Sequence, residues 1–330
     1  MQARRKLLLG LIAFGALPVP SSLAQQGKVW RLGVLSIRSR PISLESDVQY
    51  GPFLKGLREL GYVEGKNLVI EWRFAHAQYD LLPVLASELV RLKVDVIAVV
   101  NVPVIRAVQD ATRTIPIVML SSSDPIGSGV VSSLARPGGN ITGLSNVTAD
   151  LTSKYLDLLT ALLPNASTIA FLLNPANTAQ LVALKSFQTA ADKLGIRTLG
   201  VKATTRQDLD IAFASAAKEK AAAIIVGNDA VFFELRQSIT DLCFKYRMPS
   251  IFAIRAFVDA GGLMSYGYDQ SESYRHAATY VDRILKGAKP ADLPVERAAT
   301  LRLIINRNAA KALGLTIPPQ LLVRADEVIE

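Results

Sequence analysis

Four short runs, Val94–Val100, Ile115–Leu120, Thr168–Asn174 and Ala221–Gly227, are apolar at nearly every position instead of every second one. A strand of that kind must be covered on both faces, which a parallel sheet flanked by helices achieves. Helical patterns fill the gaps. Residues 45–60 carry Val48, Phe53, Leu57 and Leu60 on one face and stop at Gly61, and residues 80–92 and 104–112 read the same way. With strands at 30–36 and 67–74, the first half alternates strand and helix through short connections, as a doubly wound parallel sheet does.

Past Gly143 the pattern starts again. A helix over 151–163 closes at Pro164, and a strand over 168–174 precedes a helix over 180–194 that stops at Gly195, as the first-half helix stops at Gly61. A strand at 196–201, a helix at 207–219, the run 221–227 and a helix to Tyr246 complete the unit, and Met248–Phe252 answers Ile115–Met119. Two similar α/β lobes in tandem are expected. Pro137, Gly138, Gly139 and Gly143 read as the turn into the second lobe.

The tail exceeds a simple duplication: a strand near 264–269, a long helix over 272–285, a linker at 289–294, a strand at 301–306 and a helix at 307–313. The excess predicts that the chain returns to the first lobe near Tyr266–Asp269 and crosses once more near Pro294–Thr300. Lobe 1 would hold 25–143 plus about 268–295, and lobe 2 144–267 plus about 300–330, joined by a multi-strand hinge.

Residues 1–24 have the form of a secretory signal peptide. Arg4-Arg5-Lys6 precedes an apolar core from Leu7 to Leu17, and Ser22-Leu23-Ala24 offers small residues for cleavage near Ala24–Gln25. The core is shorter than the roughly 20 residues of a membrane span, so a soluble periplasmic protein, a monomer, is expected. The formal charge of +9 is scattered, with no basic stripe bearing interleaved aromatics, which argues against nucleic-acid binding. Cys243 is the single cysteine, so neither an intrachain disulfide nor a cysteine-based metal site is expected; its neighbours suggest a buried helical position.

Catalytic signatures are scarce. His76 and His276 are the two histidines, and no His-Glu-x-x-His, phosphate loop or Gly-x-Ser-x-Gly elbow occurs, so neither an enzyme nor a cofactor is expected. Small polar residues recur instead where strands end, the place where open α/β sheets bind ligands. The candidates for contact with a small-molecule ligand are Ser36, Asn101, Ser121, Ser122 and Asp124 in the first half, and Asn174, Asn228, Asp229, Tyr266 and Asp269 in the second. Ser123, Asn177 and Ser265 stand beside them, and Phe232, Phe233 and Tyr268 could add an aromatic wall. Each has a plainer reading: Asp124 as a helix cap, Asn174 and Asn177 as turn residues around Pro175. Arg38 and Arg40 favour a carboxylate ligand if they face the cleft and say nothing if they are solvated.

Four segments resemble a known family. Asp124-Pro125 with Gly129, followed by Ser133-Leu134-Ala135-Arg136-Pro137-Gly138-Gly139-Asn140 and Thr142-Gly143, is similar to the hallmark of ABC transporter substrate-binding proteins related to tryptophan- and tyrosine-binding members. Gly261–Gly267, Ile284–Glu296 and Ala312–Pro318 match later motifs. The resemblance implies a type I periplasmic-binding fold, with an amino acid or small carboxylate held between lobes and delivered to an inner-membrane ABC permease driven by its ATPase. A sensory or accessory protein signalling to a membrane receptor would use the same fold. Val102 stands where the family usually has a small polar residue before the proline, which removes a hydroxyl from the expected ligand set.

Overall fold

The computed structural model describes residues 28–146, 151–297 and 300–330. The segment read as a signal peptide lies outside them. The chain forms two sheets, each wrapped by helices. In the first, β1 (Trp30–Ser36), α1 (Tyr50–Glu59), β2 (Leu68–Phe74), α2 (Leu82–Arg91), β3 (Val96–Val100), α3 (Val102–Ala111), β4 (Ile117–Ser123) and β5 (Ile141–Asn146) follow in order. The second takes α4 (Leu151–Leu162), β6 (Thr168–Leu173), α5 (Thr178–Asp192), β7 (Arg197–Lys202), α6 (Arg206–Lys218), β8 (Ala223–Val226), α7 (Ala230–Glu234), α8 (Arg236–Lys245), β9 (Ser250–Phe252), α9 (Arg255–Asp259) and β10 (Met264–Tyr268). Then come α10 (Gln270–Leu285), β11 (Glu296–Arg297), β12 (Leu301–Asn306), α11 (Arg307–Ala312), α12 (Pro319–Arg324) and β13 (Glu327–Ile329).

The six-stranded sheet has the order β11-β5-β4-β3-β1-β2 and the seven-stranded sheet β13-β12-β10-β9-β8-β6-β7. Both are parallel except where β10 meets β12. In both, the first strand of the unit sits between the second and third, so strand order reverses at β1/β3 and at β6/β8. Ligand clefts open at such switch points because flanking connections leave in opposite directions.

The tail exchanges between the sheets. After β10 in the larger sheet, α10 buries Tyr274, Ala277, Tyr280, Val281 and Ile284 in the smaller sheet's core, with Phe53 and Leu57 of α1. β11 then pairs with β5, and β12 returns to pair with β10. The duplication persists in detail. At the end of α1, Gly61 and Tyr62 donate to Arg58 O and Leu57 O; at the end of α5, Gly195 and Ile196 donate to Asp192 O and Ala191 O. Both glycines have positive φ, as this helix-ending motif requires.

Two local readings differ. The stretch after Pro137 turns, but Ile141–Asn146 then forms a fully buried strand of the first sheet instead of leading into the second lobe. Gly143 is needed because β4 passes so close that a Cβ there would strike the Met119 backbone, and its φ is +130°. The helix expected through Tyr246 is two helices, α7 and α8, meeting at Leu235.

Candidate functional site

The strand ends of the two sheets face each other across a cleft. One cavity is lined from the first sheet by Ser36, Arg38, Asn101 and Ser121 and from the second by Asn228, Asp229 and Phe233. A second cavity is mostly apolar, with Tyr155, Phe171, Ala183 and Ile225 facing Ser123. A third lies near the crossings, between Asn146, Tyr268 and Gln270. All three share Asn228. A larger space of about 290 Å³ adjoins the third along the crossing strands, between Val48 and Pro52 on one side and Arg255 and Arg302 on the other. The cleft is therefore polar at one end and apolar at the other, a shape suited to an amphipathic small molecule.

Arg38 dominates the polar end. It is buried, and it donates two hydrogen bonds to Asp47, at 3.1 and 2.8 Å, one to Gln49 at 2.8 Å and one to Glu234 at 2.7 Å. Its guanidinium also lies 4.5 Å from the centre of the Phe233 ring. Burial pulls its pKa down, but the bonds to Asp47 and Glu234 outweigh burial and raise it. Burial pushes the Asp47 carboxyl up, and Arg38 more than reverses that, holding it below the usual carboxylate range. Arg38 therefore faces the cleft with its charge matched by two carboxylates, which leaves it poorly placed to take a third from a ligand. Arg40 is exposed, 5.9 Å from the Phe74 ring.

The tie to Glu234 crosses between lobes, and a second bridge runs beside it. Tyr79 donates to Asp229 Oδ2 at 3.0 Å, and Asn174 Nδ2 approaches the Tyr79 hydroxyl at 3.4 Å. Asp229 also accepts from Asn174 at 3.0 Å, from Asn177 at 2.9 Å and from the Val231 backbone at 2.9 Å. With four donors, its carboxylate is a fixed hub that caps α7 and joins three elements. Burial and then the Asp229 charge push the Tyr79 hydroxyl's pKa far up, so it stays a donor. Ala179 and Ala230 add apolar contact by packing on the first sheet's cluster.

The other candidates separate by position. Ser36 Oγ accepts from the Tyr50 hydroxyl at 2.6 Å and from the Arg38 backbone at 3.1 Å. Asn101 occupies a left-handed conformation, φ 71°, at the start of α3, and its side chain makes no cap hydrogen bond. A bulge in β4 changes its register between Met119 and Ser122, so Ser121 lines the cleft while Ser122 is sealed with its hydroxyl unpartnered. Asn146 donates to Ser121 Oγ. Asp124 lies apart from these cavities: at φ 42° its carboxylate accepts the Gly127 N–H at 2.9 Å and closes a local turn. Tyr266 packs on the second sheet's core, with Lys154 6.0 Å from its ring centre. Asp269 caps α10 and meets Arg302 at 3.5 Å at the rim of the larger space.

Of the aromatic residues, Phe232 is core, Phe233 lines the cleft under Arg38, and Tyr268 lines the crossing cavity. Val102 is buried among apolar side chains of the first sheet, away from the cleft. Sequence reasoning missed Asp47, Gln49, Tyr50, Tyr79, Gln180 and Glu234; what joins Arg38 to Glu234 is contact across 196 positions of chain, which no local pattern encodes. Among the described residues, no cluster of three or more metal-ligating side chains occurs and no helix is long and apolar enough to cross a membrane.

A family model described as ABC transporter substrate binding protein matches residues 39–329. A protein of Clostridioides difficile (strain R20291) named tyrosine-binding protein is 27% identical over 263 residues, 80% of this chain and 75% of its own. Among solved structures, an ABC domain in complex with L-Trp from Streptococcus pneumonia superposes with a TM-score of 0.83 at 28% identity, covering 91% of this chain and 99% of that one. The ligand-free, open structure of a substrate-binding protein with adhesive properties from Clostridium difficile gives 0.64 at 25% identity, covering the same shares.

Proposed function

Because this chain belongs to the ABC transporter substrate-binding protein family, we propose that it captures an amino acid, aromatic in its side chain, between its two lobes and presents it to an inner-membrane ABC permease. The observation that carries the reading is the two-ended cleft. Ser36, Asn101, Ser121 and Asn228 offer hydrogen bonds without a free cation, and Tyr155, Phe171 and Ile225 offer an apolar wall beside them. A zwitterion with an aromatic side chain matches both ends. The names of the tyrosine-binding relative and of the L-Trp complex agree with that chemistry.

The lobes are residues 28–146 with 270–297, and 151–268 with 300–330, hinged at the three crossings between them. They close when ligand contacts from both sides add to the bonds from Arg38 to Glu234 and from Tyr79 to Asp229. The higher likeness to the L-Trp complex than to the open, ligand-free structure supports reading the present arrangement as the closed one. Residues 1–24 act as the export signal, and the mature chain works in the periplasm as a monomer. Calorimetric titration of the chain from Gln25 onward with L-tyrosine, L-tryptophan, L-phenylalanine, L-glutamate and succinate tests the reading. One-to-one binding of an aromatic amino acid is expected; binding of the dicarboxylates alone, or of nothing, refutes it.

A further inference from the structure

We propose that Gln180 sets specificity within this cleft by donating a hydrogen bond to an oxygen on the ligand's side chain, so that the favoured ligand is an aromatic amino acid with a hydroxylated ring. The inference rests on the amino-acid reading above and goes one group further into it.

Among the described residues, several buried side-chain atoms lack a hydrogen-bond partner, including Ser122 Oγ, Ser145 Oγ, Ser250 Oγ and Tyr274 OH. Two of these orphans belong to residues that line the cleft cavities: Gln180 Nε2 and Asn146 Oδ1. Asn146 faces the Ser121 hydroxyl, which can donate or accept, so its amide could turn over without loss. Gln180 has no such freedom. One end of its amide meets the Asn174 backbone N–H at 2.6 Å, a donor that only the amide oxygen can satisfy. The NH₂ end is thereby fixed as an unused donor on a side chain 3% exposed.

The arrangement is built from the backbone up. Gln180 lies in the first turn of α5, after the Asn177 cap. Gly227, just past β8, makes room for it: a Cβ there would stand 2.8 Å from Gln180 Oε1. The cavity it lines is the apolar one, walled by Tyr155, Phe171, Ala183 and Ile225, not the polar end around Ser36 and Asn101. An α-ammonium and α-carboxylate belong at the polar end, so the group that reaches Gln180 is the far side of the ligand's side chain. A buried donor left unpaired is costly, and a ligand oxygen placed there removes that cost. A ring without one leaves it standing, and such sites discriminate strongly against the analogue that lacks the hydroxyl.

Calorimetric titration of the mature chain with L-tyrosine, L-phenylalanine and L-tryptophan, for wild type, Gln180→Glu and Gln180→Met, tests this. Gln180→Glu keeps an oxygen for the Asn174 N–H and exchanges the donor for a second acceptor; Gln180→Met removes both. Wild type is expected to prefer tyrosine to phenylalanine by about tenfold or more, and both variants to lose that preference. Equal affinity of wild type for tyrosine and phenylalanine overturns the inference with no recourse to a variant. So does an unchanged ratio in Gln180→Glu, or binding of tryptophan alone, while each leaves the amino-acid reading intact. Binding of none of the three overturns both.

Discussion

At the scale of residues, the cleft depends on groups whose charge or proton is fixed by neighbours. Tyr50 donates to Ser36 from full burial, and burial pushes its hydroxyl up to about 12. A folded-state pKa above the unfolded value of about 10 contributes stability that is complete below pH 10 and fades as pH rises toward 12. Chemical denaturation at pH 8 and pH 11 should show that fade, and Tyr50→Phe should reduce it without abolishing it, since half-buried Tyr79 and buried Tyr155 and Tyr274 titrate in the same sense. A variant that loses as much stability as wild type between those pH values contradicts the assignment. Cys243, buried in α8, has its thiol pushed up to about 12 by burial. A thiol reagent at neutral pH should leave it unmodified in the folded protein and modify it once denaturant is added. Arg38 shows why a charge is hard to place from sequence alone: its meaning depends on Asp47, which is near in the chain, and Glu234, which is not.

At the scale of elements, the strand runs and the helix stops at Gly61 and Gly195 were legible because period and punctuation are local. β5 was not. Four of the residues from Pro137 to Gly143 are glycine or proline, which suggests a turn, yet Gly143 serves a close approach of two strands. Gly143→Ala should cost more than about 2 kcal/mol in urea denaturation, because an alanine there meets both a disfavoured φ and the Met119 backbone. A loss below about 0.5 kcal/mol would mean that β4 and β5 can separate freely. β11 and β13 escaped for a different reason: they are two and three residues long and are defined by pairing with β5 and β12. The strand-end rule brought Ser36, Asn101, Ser121, Asn228 and Asp229 to one cavity. Asp124 follows β4 as well, but there the chain tightens into a turn and the carboxylate is spent on Gly127.

At the scale of the whole molecule, two lobes are held against each other by bonds from Arg38 to Glu234 and from Tyr79 to Asp229. Glu234→Gln keeps the shape of the side chain and removes the charge facing Arg38. With the glutamate partly exposed, the change should lower the ratio of closed to open protein by roughly fivefold, about 1 kcal/mol, and weaken ligand affinity to match. Stopped-flow dissociation should show the change as faster release; unchanged release would assign closure to Tyr79 and Asp229 instead. Capture by lobe closure is tested by small-angle scattering from the mature chain, titrated with L-tyrosine and L-tryptophan. A fall in radius of gyration that saturates at one ligand per chain is the predicted result. A radius that stays constant while calorimetry reports binding would contradict capture by closure, and the cleft would then have to be a preformed pocket.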